Sequence, residues 1–119
     1  MSQKKITISD DDLAILDAVS IMLEFEGYKV TCISDGNVLL TKEGPFANLL
    51  LLDIWMSGTD GREICKFLKN NKTTAQIPII LISASKDIEG SALNAGADDF
   101  LPKPFDMADL LRKIELHIS

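Results

Sequence analysis

Apolar and polar positions along this chain alternate between short strand-like runs and longer helix-like segments. Continuous apolar runs bounded by turn residues are typical of strands buried on both faces of a sheet, and they occur at 49–52 and 77–82. Shorter or mixed strand-like segments occur at 6–9, 28–32 and 99–101. Helices with capping residues at their starts or glycines after their ends are predicted over 13–26, 35–44, 61–70, 87–95 and 107–118.

Five strands that alternate with five helices predict a single α/β domain over residues 1–119. Crossovers through helices give a parallel sheet with helices on both faces. The runs at 49–52 and 77–82 are the most apolar, so we place them at the centre of the sheet. The pattern fits a flavodoxin-like (βα)5 architecture, a central parallel five-stranded sheet with strand order 2-1-3-4-5.

Polar residues stand where four of these strands end. Asp10 and Asp11 follow the first strand, Asp53 the third, Ser83 the fourth and Lys103 the fifth. Because parallel strands end at one edge of a sheet, we expect these side chains to converge there. Clustered carboxylates without Cys or His suit Mg²⁺ rather than zinc, and a lysine can neutralise a phosphoryl oxygen. The cluster therefore predicts phosphoryl transfer onto Asp53.

The net charge of the chain bears on which kinds of molecule it can bind. A formal charge of −6, from 18 acidic against 12 basic residues, argues against nucleic-acid and anionic-membrane binding by this chain. No apolar run approaches the length of a membrane span, and the first residues do not resemble a signal peptide. Cys32 and Cys65 are expected to be buried, reduced thiols, so we expect a cytoplasmic protein.

Four separated motifs together resemble a response-regulator receiver domain of two-component signalling, of the chemotaxis-regulator-like kind. They are Asp10-Asp11-Asp12, Leu52-Asp53-Ile54 with Gly58-Thr59-Asp60-Gly61, the run from Pro78 to Ser83-Ala84, and Gly96-Ala97-Asp98-Asp99-Phe100-Leu101-Pro102-Lys103-Pro104-Phe105. The motifs occur in the order and at the spacing of that family, and they cover nearly the whole chain.

The resemblance implies a role for each residue at the strand ends. Asp53 is implied to be the phosphoacceptor, and Lys103 the lysine that pairs with the phosphoryl group. Mg²⁺, for which Mn²⁺ can substitute, is implied to bind Asp10, Asp11, Asp53 and the backbone carbonyl of Trp55. Such a domain is a signalling module that catalyses only its own phosphorylation and dephosphorylation.

The resemblance also implies a conformational switch. Ser83 is its hydroxyl, Phe100 occupies its aromatic position, and the Lys103–Pro104 bond is implied to be cis. Phosphorylation would then reshape the surface of helix 4, strand 5 and helix 5, through which a downstream protein binds. The oligomeric state implied is a monomer or a phosphorylation-dependent dimer.

The phosphodonor implied by the resemblance is a histidine kinase or a histidine phosphotransfer protein. Leu16, Val19 and Leu23 form the core stripe of the first helix. Ile15, Ala18 and Met22 form a second apolar stripe beside it, which we interpret as the docking site for that donor. The alternative is that some of these residues pack under a neighbouring loop.

Three positions in or near the loop after Asp53 depart from the family pattern. Ser57 stands where proline is most common, and Thr59 where an apolar residue is usual, which affects the stiffness of the loop. Trp55 is unusually bulky for its position. We hypothesise that Trp55, with Ser85, shields the acyl phosphate from water; packing of Trp55 on the loop alone is the alternative.

Other functions remain open from the sequence. A haloacid dehalogenase-like phosphatase needs a second acid two residues after the nucleophile, where this chain has Trp55. A flavodoxin-like cofactor binder lacks its phosphate loop here. A receiver-like interaction module that is not phosphorylated is the third alternative. His117, near the end of the last helix, is expected to be a solvated bystander.

Overall fold

The strands and helices of the chain follow the predicted pattern closely. The computed structural model describes residues 3–34, 39, 47–56, 58–84 and 88–118. Its long strands are β1 (Lys5–Ser9), β2 (Lys29–Ile33), β3 (Leu49–Asp53), β6 (Ile79–Ser83) and β7 (Asp99–Pro102), and a short hairpin is formed by β4 (Trp55–Met56) and β5 (Thr59–Asp60). The helices are α1 (Leu13–Phe25), α2 (Gly61–Lys69), α3 (Ile88–Ala95) and α4 (Met107–His117).

The five long strands form one parallel sheet. Their order is β2-β1-β3-β6-β7, which is the predicted order 2-1-3-4-5 among the long strands. In the register, Leu51 of β3 lies between Ile8 of β1 and Ile80 of β6. The flavodoxin-like prediction is confirmed.

The leucine run in β3 supplies both halves of the core. Leu50 and Leu52 pack on one face of the sheet with apolar residues of α2 and α3. Leu49 and Leu51 pack on the other face with residues of α1 and α4. Successive strand residues point to opposite faces, so a strand covered on both sides needs an apolar residue at every position. This explains why β3 is buried from end to end.

Two aspartates, Asp12 and Asp60, cap the starts of α1 and α2. The Asp12 carboxylate accepts hydrogen bonds from the backbone of Ala14 and Ile15 at 3.0 and 3.3 Å, and α1 begins there. The Asp60 carboxylate accepts one from the backbone of Arg62 at 2.9 Å, where α2 begins. Each cap replaces a hydrogen bond that the first turn of a helix lacks.

Cys65 is buried, as predicted, but the prediction that Cys32 is buried is wrong, because its side chain is exposed on the edge strand β2. Other predictions concern residues that the structure does not describe. The predicted helix over 35–44, Ser57 and Ser85 lie outside the described residues. Consequently α3 corresponds to the fourth predicted helix and α4 to the fifth. Within the described ranges, no helix has the length and apolar character needed to cross a membrane.

Candidate functional site

Three carboxylates meet at the carboxyl edge of the sheet. Asp10 follows β1 directly and is fully buried, Asp53 ends β3 and is 4% exposed, and Asp11 is exposed. One carboxylate oxygen from each of the three lies within 4.8 Å of those from the other two. The topology therefore brings together the acids that the sequence predicted to converge.

Lys103 places a positive charge inside this cluster. Its Nζ lies 3.1 Å from Asp10 Oδ2 and 3.4 Å from Asp53 Oδ2. Its backbone N–H donates to the carbonyl of Ser83 at 2.8 Å, and its bond to Pro104 is cis. Burial acts to lower the pKa of Lys103, but the Asp10 and Asp53 carboxylates outweigh burial and raise it. The ammonium group is therefore charged at neutral pH.

Asp53 is held in an environment that disfavours its charge. Burial, and then the neighbouring Asp10 carboxylate, raise the pKa of Asp53 to about 6, against an opposing effect of Lys103. At pH 7 most molecules still carry the carboxylate. That anion is poorly solvated, and a poorly solvated carboxylate is a suitable nucleophile.

The acid cluster fits a magnesium ion. Asp10 Oδ1 accepts a hydrogen bond from the backbone of Asp12 at 2.9 Å. Asp10 Oδ2 is buried, and among the described residues it receives no well-directed hydrogen bond, since Lys103 approaches it only as an ion pair. Three carboxylates against one ammonium leave a net negative charge, and hard oxygen ligands of this kind suit Mg²⁺.

Ser83 and Phe100 lie on the neighbouring strands β6 and β7, where Ser83 pairs with Pro102 and Phe100 pairs with Leu81. Ser83 is the last residue of β6 and is fully buried. Phe100, in β7, is half-buried and packs against the core on the α2 and α3 side of the sheet. Lys113 Nζ of α4 lies 5.0 Å from the centre of the Phe100 ring. Phe100 therefore contacts α4 through Lys113.

The loop after Asp53 folds back tightly on itself. The Gly61 N–H donates to the Ile54 carbonyl at 2.7 Å. A Cβ at position 61 would collide with the Asp53 carbonyl oxygen and lie 2.9 Å from Ile54 Cα. Only glycine allows this approach, so Gly61 places the start of α2 directly against Asp53.

Trp55 packs on a residue that sequence reasoning did not single out. Its side chain is 57% exposed, and the Arg62 guanidinium lies 4.8 Å from the centre of its ring. Trp55 therefore packs on a side chain of α2, and its shielding of an acyl phosphate stays a prediction. No motif distinguished Arg62 from other charged residues on a helix surface.

The face of α1 differs in part from the prediction. Leu16, Val19 and Leu23 are buried, as expected. Of the predicted docking residues Ala18 alone is exposed, because Ile15 and Met22 are partly buried against the core. The strongly exposed apolar residues of this helix are instead Leu13, Ile21 and Phe25, at 70%, 66% and 89%.

An apolar groove runs from α1 to Lys103, beside the acid cluster. Its volume is about 430 Å³. It is lined by residues of α1, of the segment from Lys103 onward and by Ala84, namely Ala14, Ile15, Ala18, Val19, Ala84, Lys103, Pro104, Phe105 and Met107. Ala18 and Lys103 thus border one continuous surface.

The expectation that His117 is a solvated bystander is wrong. Its Nε2 lies 2.8 Å from Asp99 Oδ2, and Lys113 Nζ lies 2.7 Å from Asp99 Oδ1. Burial acts to raise the pKa of Asp99, but hydrogen bonds from Lys113 and His117 lower it below its usual value. Residues four apart share one helix face, so both reach the same strand residue.

Comparison with known proteins identifies the family. The chain is 37% identical over 115 residues to the DNA-binding dual master transcriptional regulator RpaA of Synechocystis; the match covers 92% of this chain and 47% of RpaA, so the chain spans about half the length of that relative. A CheY-like receiver domain protein from Methanospirillum hungatei JF-1 superposes with a TM-score of 0.83 at 37% identity, over 97% of this chain and 93% of that one.

A third relative was solved with a metal. The receiver domain of the sensor histidine kinase PA1611 from Pseudomonas aeruginosa PAO1, with a magnesium ion coordinated in its active-site cleft, superposes with a TM-score of 0.86 at 25% identity, over 98% of both chains. The family model of the response regulator receiver domain matches residues 6–115. The chain therefore belongs to the response regulator receiver domain family.

Proposed function

We propose that this receiver domain takes a phosphoryl group from a histidine kinase or a histidine phosphotransfer protein onto Asp53. One observation carries the proposal: a buried carboxylate at the end of the central strand lies within 3.4 Å of Lys103 and shares a metal-sized cluster with Asp10 and Asp11. A structural role alone would not favour a buried acid whose charge is disfavoured by burial and by a second acid.

The proposed reaction is a displacement at phosphorus. A carboxylate oxygen of Asp53 forms the new P–O bond, the P–N bond to the donor imidazole breaks, and its electron pair stays on that nitrogen. Lys103 neutralises a phosphoryl oxygen. Asp10, Asp11, Asp53 and the Trp55 carbonyl are the residues that would hold Mg²⁺, or Mn²⁺ in its place. When bound, the metal supplies the charge neutralisation that phosphoryl oxygens need beside carboxylates.

The proposed response is a change at the α3, β7 and α4 surface. Phosphorylation adds about 1.5 to 2 negative charges at Asp53, and Ser83 and Lys103 are the groups placed to follow that charge. Phe100 links this edge to α4 because Lys113 stacks over its ring. A shift in the population of Phe100 positions would therefore alter the surface offered to a downstream protein.

The direct test is labelling of the protein with a small phosphodonor. Acetyl phosphate should phosphorylate the protein, and beryllofluoride should bind it as a phosphoryl analogue, only with Mg²⁺ or Mn²⁺ present, and EDTA should prevent both. Reduction of the acyl phosphate with borohydride, followed by peptide mass spectrometry, should locate the modification at Asp53. Metal-independent labelling, or labelling at another residue, would contradict the proposal.

We further propose that the donor protein docks on the apolar groove beside α1. The groove reaches from Ala18 to Lys103, so a helix seated there would bring its histidine to the phosphoryl site. Ile15 and Met22 contribute the buried side of this surface, and exposed Ile21 and Phe25 extend it. Exposed apolar faces of this kind mark interaction sites.

Ala18→Asp should slow phosphotransfer from the donor protein by about ten-fold or more, because it places a charge in an apolar interface. Labelling by acetyl phosphate should be unchanged. Ser20→Asp is the matched control, since it adds the same charge about 200° around the helix and should affect neither rate. Equal slowing with both phosphodonors would count against docking at this groove.

A further inference from the structure

We infer that Arg62 is a positioning residue for the phosphoryl site. Through one guanidinium group it holds both strands of the β4–β5 hairpin, and so fixes the Trp55 carbonyl beside the acid cluster. The inference rests on the proposed function, in which that carbonyl belongs to the Mg²⁺ ligand set.

The first contact of Arg62 is a two-pronged ion pair with Asp60. Arg62 Nε lies 3.0 Å from Asp60 Oδ1, and Nη2 lies 2.8 Å from Oδ2. The Arg62 backbone N–H also donates to Asp60 Oδ1 at 2.9 Å. These hydrogen bonds lower the pKa of Asp60. Such a fork fixes the plane of the guanidinium.

The second contact is with the strand opposite Asp60. Trp55 and Asp60 are paired across the antiparallel hairpin. The guanidinium that binds the Asp60 carboxylate also lies 4.8 Å from the centre of the Trp55 ring, within the range of a cation–π contact. The Arg62 side chain, in the first turn of α2, thus contacts one residue on each strand of the hairpin.

Among the described residues, few other contacts stabilise this hairpin. Each strand is two residues long, the Trp55 side chain is 57% exposed, and Ser57 replaces the stiffer proline that is most common in the family. At the hairpin's base, Gly61 packs on the Asp53 carbonyl. A hairpin held by Arg62 is therefore tied directly to the phosphoacceptor strand.

The charge of Arg62 and its positioning role would change the affinity for Mg²⁺ in opposite directions. Arg62 is a cation on the loop that borders three carboxylates, so its charge alone opposes binding of Mg²⁺. If it acted only as a charge, its removal would strengthen Mg²⁺ binding. If it positions the Trp55 carbonyl, its removal weakens binding. The two roles predict opposite changes in the same dissociation constant.

The experiment is calorimetric titration of the unphosphorylated 119-residue chain with Mg²⁺. Arg62→Gln should raise the dissociation constant about three- to ten-fold, in line with the strength of exposed cation–π and ion-pair contacts. The control is Lys66→Gln, which removes the same charge one turn further along α2, where Lys66 faces Glu63 at 3.6 Å. It should leave the constant unchanged or slightly lower. An Arg62→Gln constant equal to or below that of Lys66→Gln overturns the inference.

Arg62→Lys keeps the charge but loses the fork and the planar stack. It should weaken Mg²⁺ binding nearly as much as Arg62→Gln, and it serves as the test if Arg62→Gln fails to fold. Wild-type affinity in Arg62→Lys would show that charge alone matters and would overturn the inference.

A second readout needs no metal. Trp55 is the single tryptophan of the chain, so its fluorescence anisotropy decay reports motion of this ring alone. Nanosecond motion should increase in Arg62→Gln and stay at the wild-type level in Lys66→Gln. Unchanged motion in Arg62→Gln overturns the inference. Failure of the wild type to bind Mg²⁺ contradicts instead the proposed function, on which the carbonyl's role rests.

Discussion

Asp53→Asn is expected to abolish phosphoryl labelling and, in the absence of metal, to stabilise the fold. The substitution removes the nucleophile, so labelling by acetyl phosphate should fall below detection. It also removes a buried charge that Asp10 repels. A pKa raised from 3.8 to about 6 corresponds, after allowance for solvent screening, to about 1–2 kcal/mol of unfolding free energy at pH 7. Urea unfolding in EDTA measures the gain.

The gain in unfolding free energy from Asp53→Asn should increase as the pH rises. In the folded state Asp53 binds its proton more tightly than in the unfolded state, so its contribution to stability is greatest at low pH. That contribution is lost as the pH rises through about 6. The free-energy gap between Asp53→Asn and wild type should therefore widen from pH 5 to pH 7.5. A gap that narrows over this range would contradict the burial argument.

Asp11→Asn is the matched control. Asp11 belongs to the same cluster but is exposed, so removing its charge relieves little desolvation. We expect a smaller gain in stability, together with weaker Mg²⁺ binding and slower labelling. Loss of labelling in Asp53→Asn alone, against slower labelling in Asp11→Asn, separates the nucleophile from a metal ligand.

Most of the fold follows from local rules that act within each segment. The leucine run predicts β3 because a doubly covered strand is apolar at every position, and Asp12 and Asp60 mark helix starts by satisfying free backbone N–H groups. These rules need no knowledge of distant residues. The strand order then follows from the apolar character of each strand and the handedness of the crossovers.

The convergence of the site was predictable for the same reason. Parallel strands end at one edge, so Asp10, Asp53 and Lys103 meet whatever their separation in sequence. The pattern of apolar and polar residues does not specify how helices and strands that pack side by side are rotated relative to one another. His117 meets Asp99 only because α4 lies along β7 in one particular rotation. The contact of Arg62 with Trp55 depends similarly on how the hairpin folds over α2.

The structure also bears on the alternative of an aspartyl-phosphate phosphatase. Such an enzyme needs a second acid near the nucleophile to transfer protons to its substrate. At the position two residues after Asp53 the chain has Trp55, which stacks on Arg62. Asp60, further along the loop, is occupied by its ion pair with Arg62. Neither residue offers a free proton donor, which favours a phosphoacceptor over a phosphatase.

Lys103→Met is expected to slow phosphorylation of Asp53 by about 100-fold, because a preorganised charge on the transferring phosphoryl group is removed. The same change leaves buried Asp10 without its cation, which should destabilise the metal-free fold by about 3 kcal/mol. Mg²⁺ should bind more tightly than to wild type, since a competing positive charge has gone, and should restore much of the lost stability. Labelling rates and urea unfolding with and without Mg²⁺ measure these effects.

Lys69→Met separates the role of Lys103 in the reaction from general loss of an ion pair. Lys69 is also largely buried, and its Nζ pairs with Asp98 at 2.6 Å and donates to the Ile77 carbonyl at 2.9 Å. Asp98 is exposed, unlike Asp10, so the loss of Lys69 should destabilise the fold less than the loss of Lys103. Labelling of the folded protein should stay at the wild-type rate, and Mg²⁺ should restore no additional stability. If Lys69→Met slowed labelling as much as Lys103→Met, the effect would come from the fold. If only Lys103→Met does so, the ammonium group acts on the phosphoryl group itself.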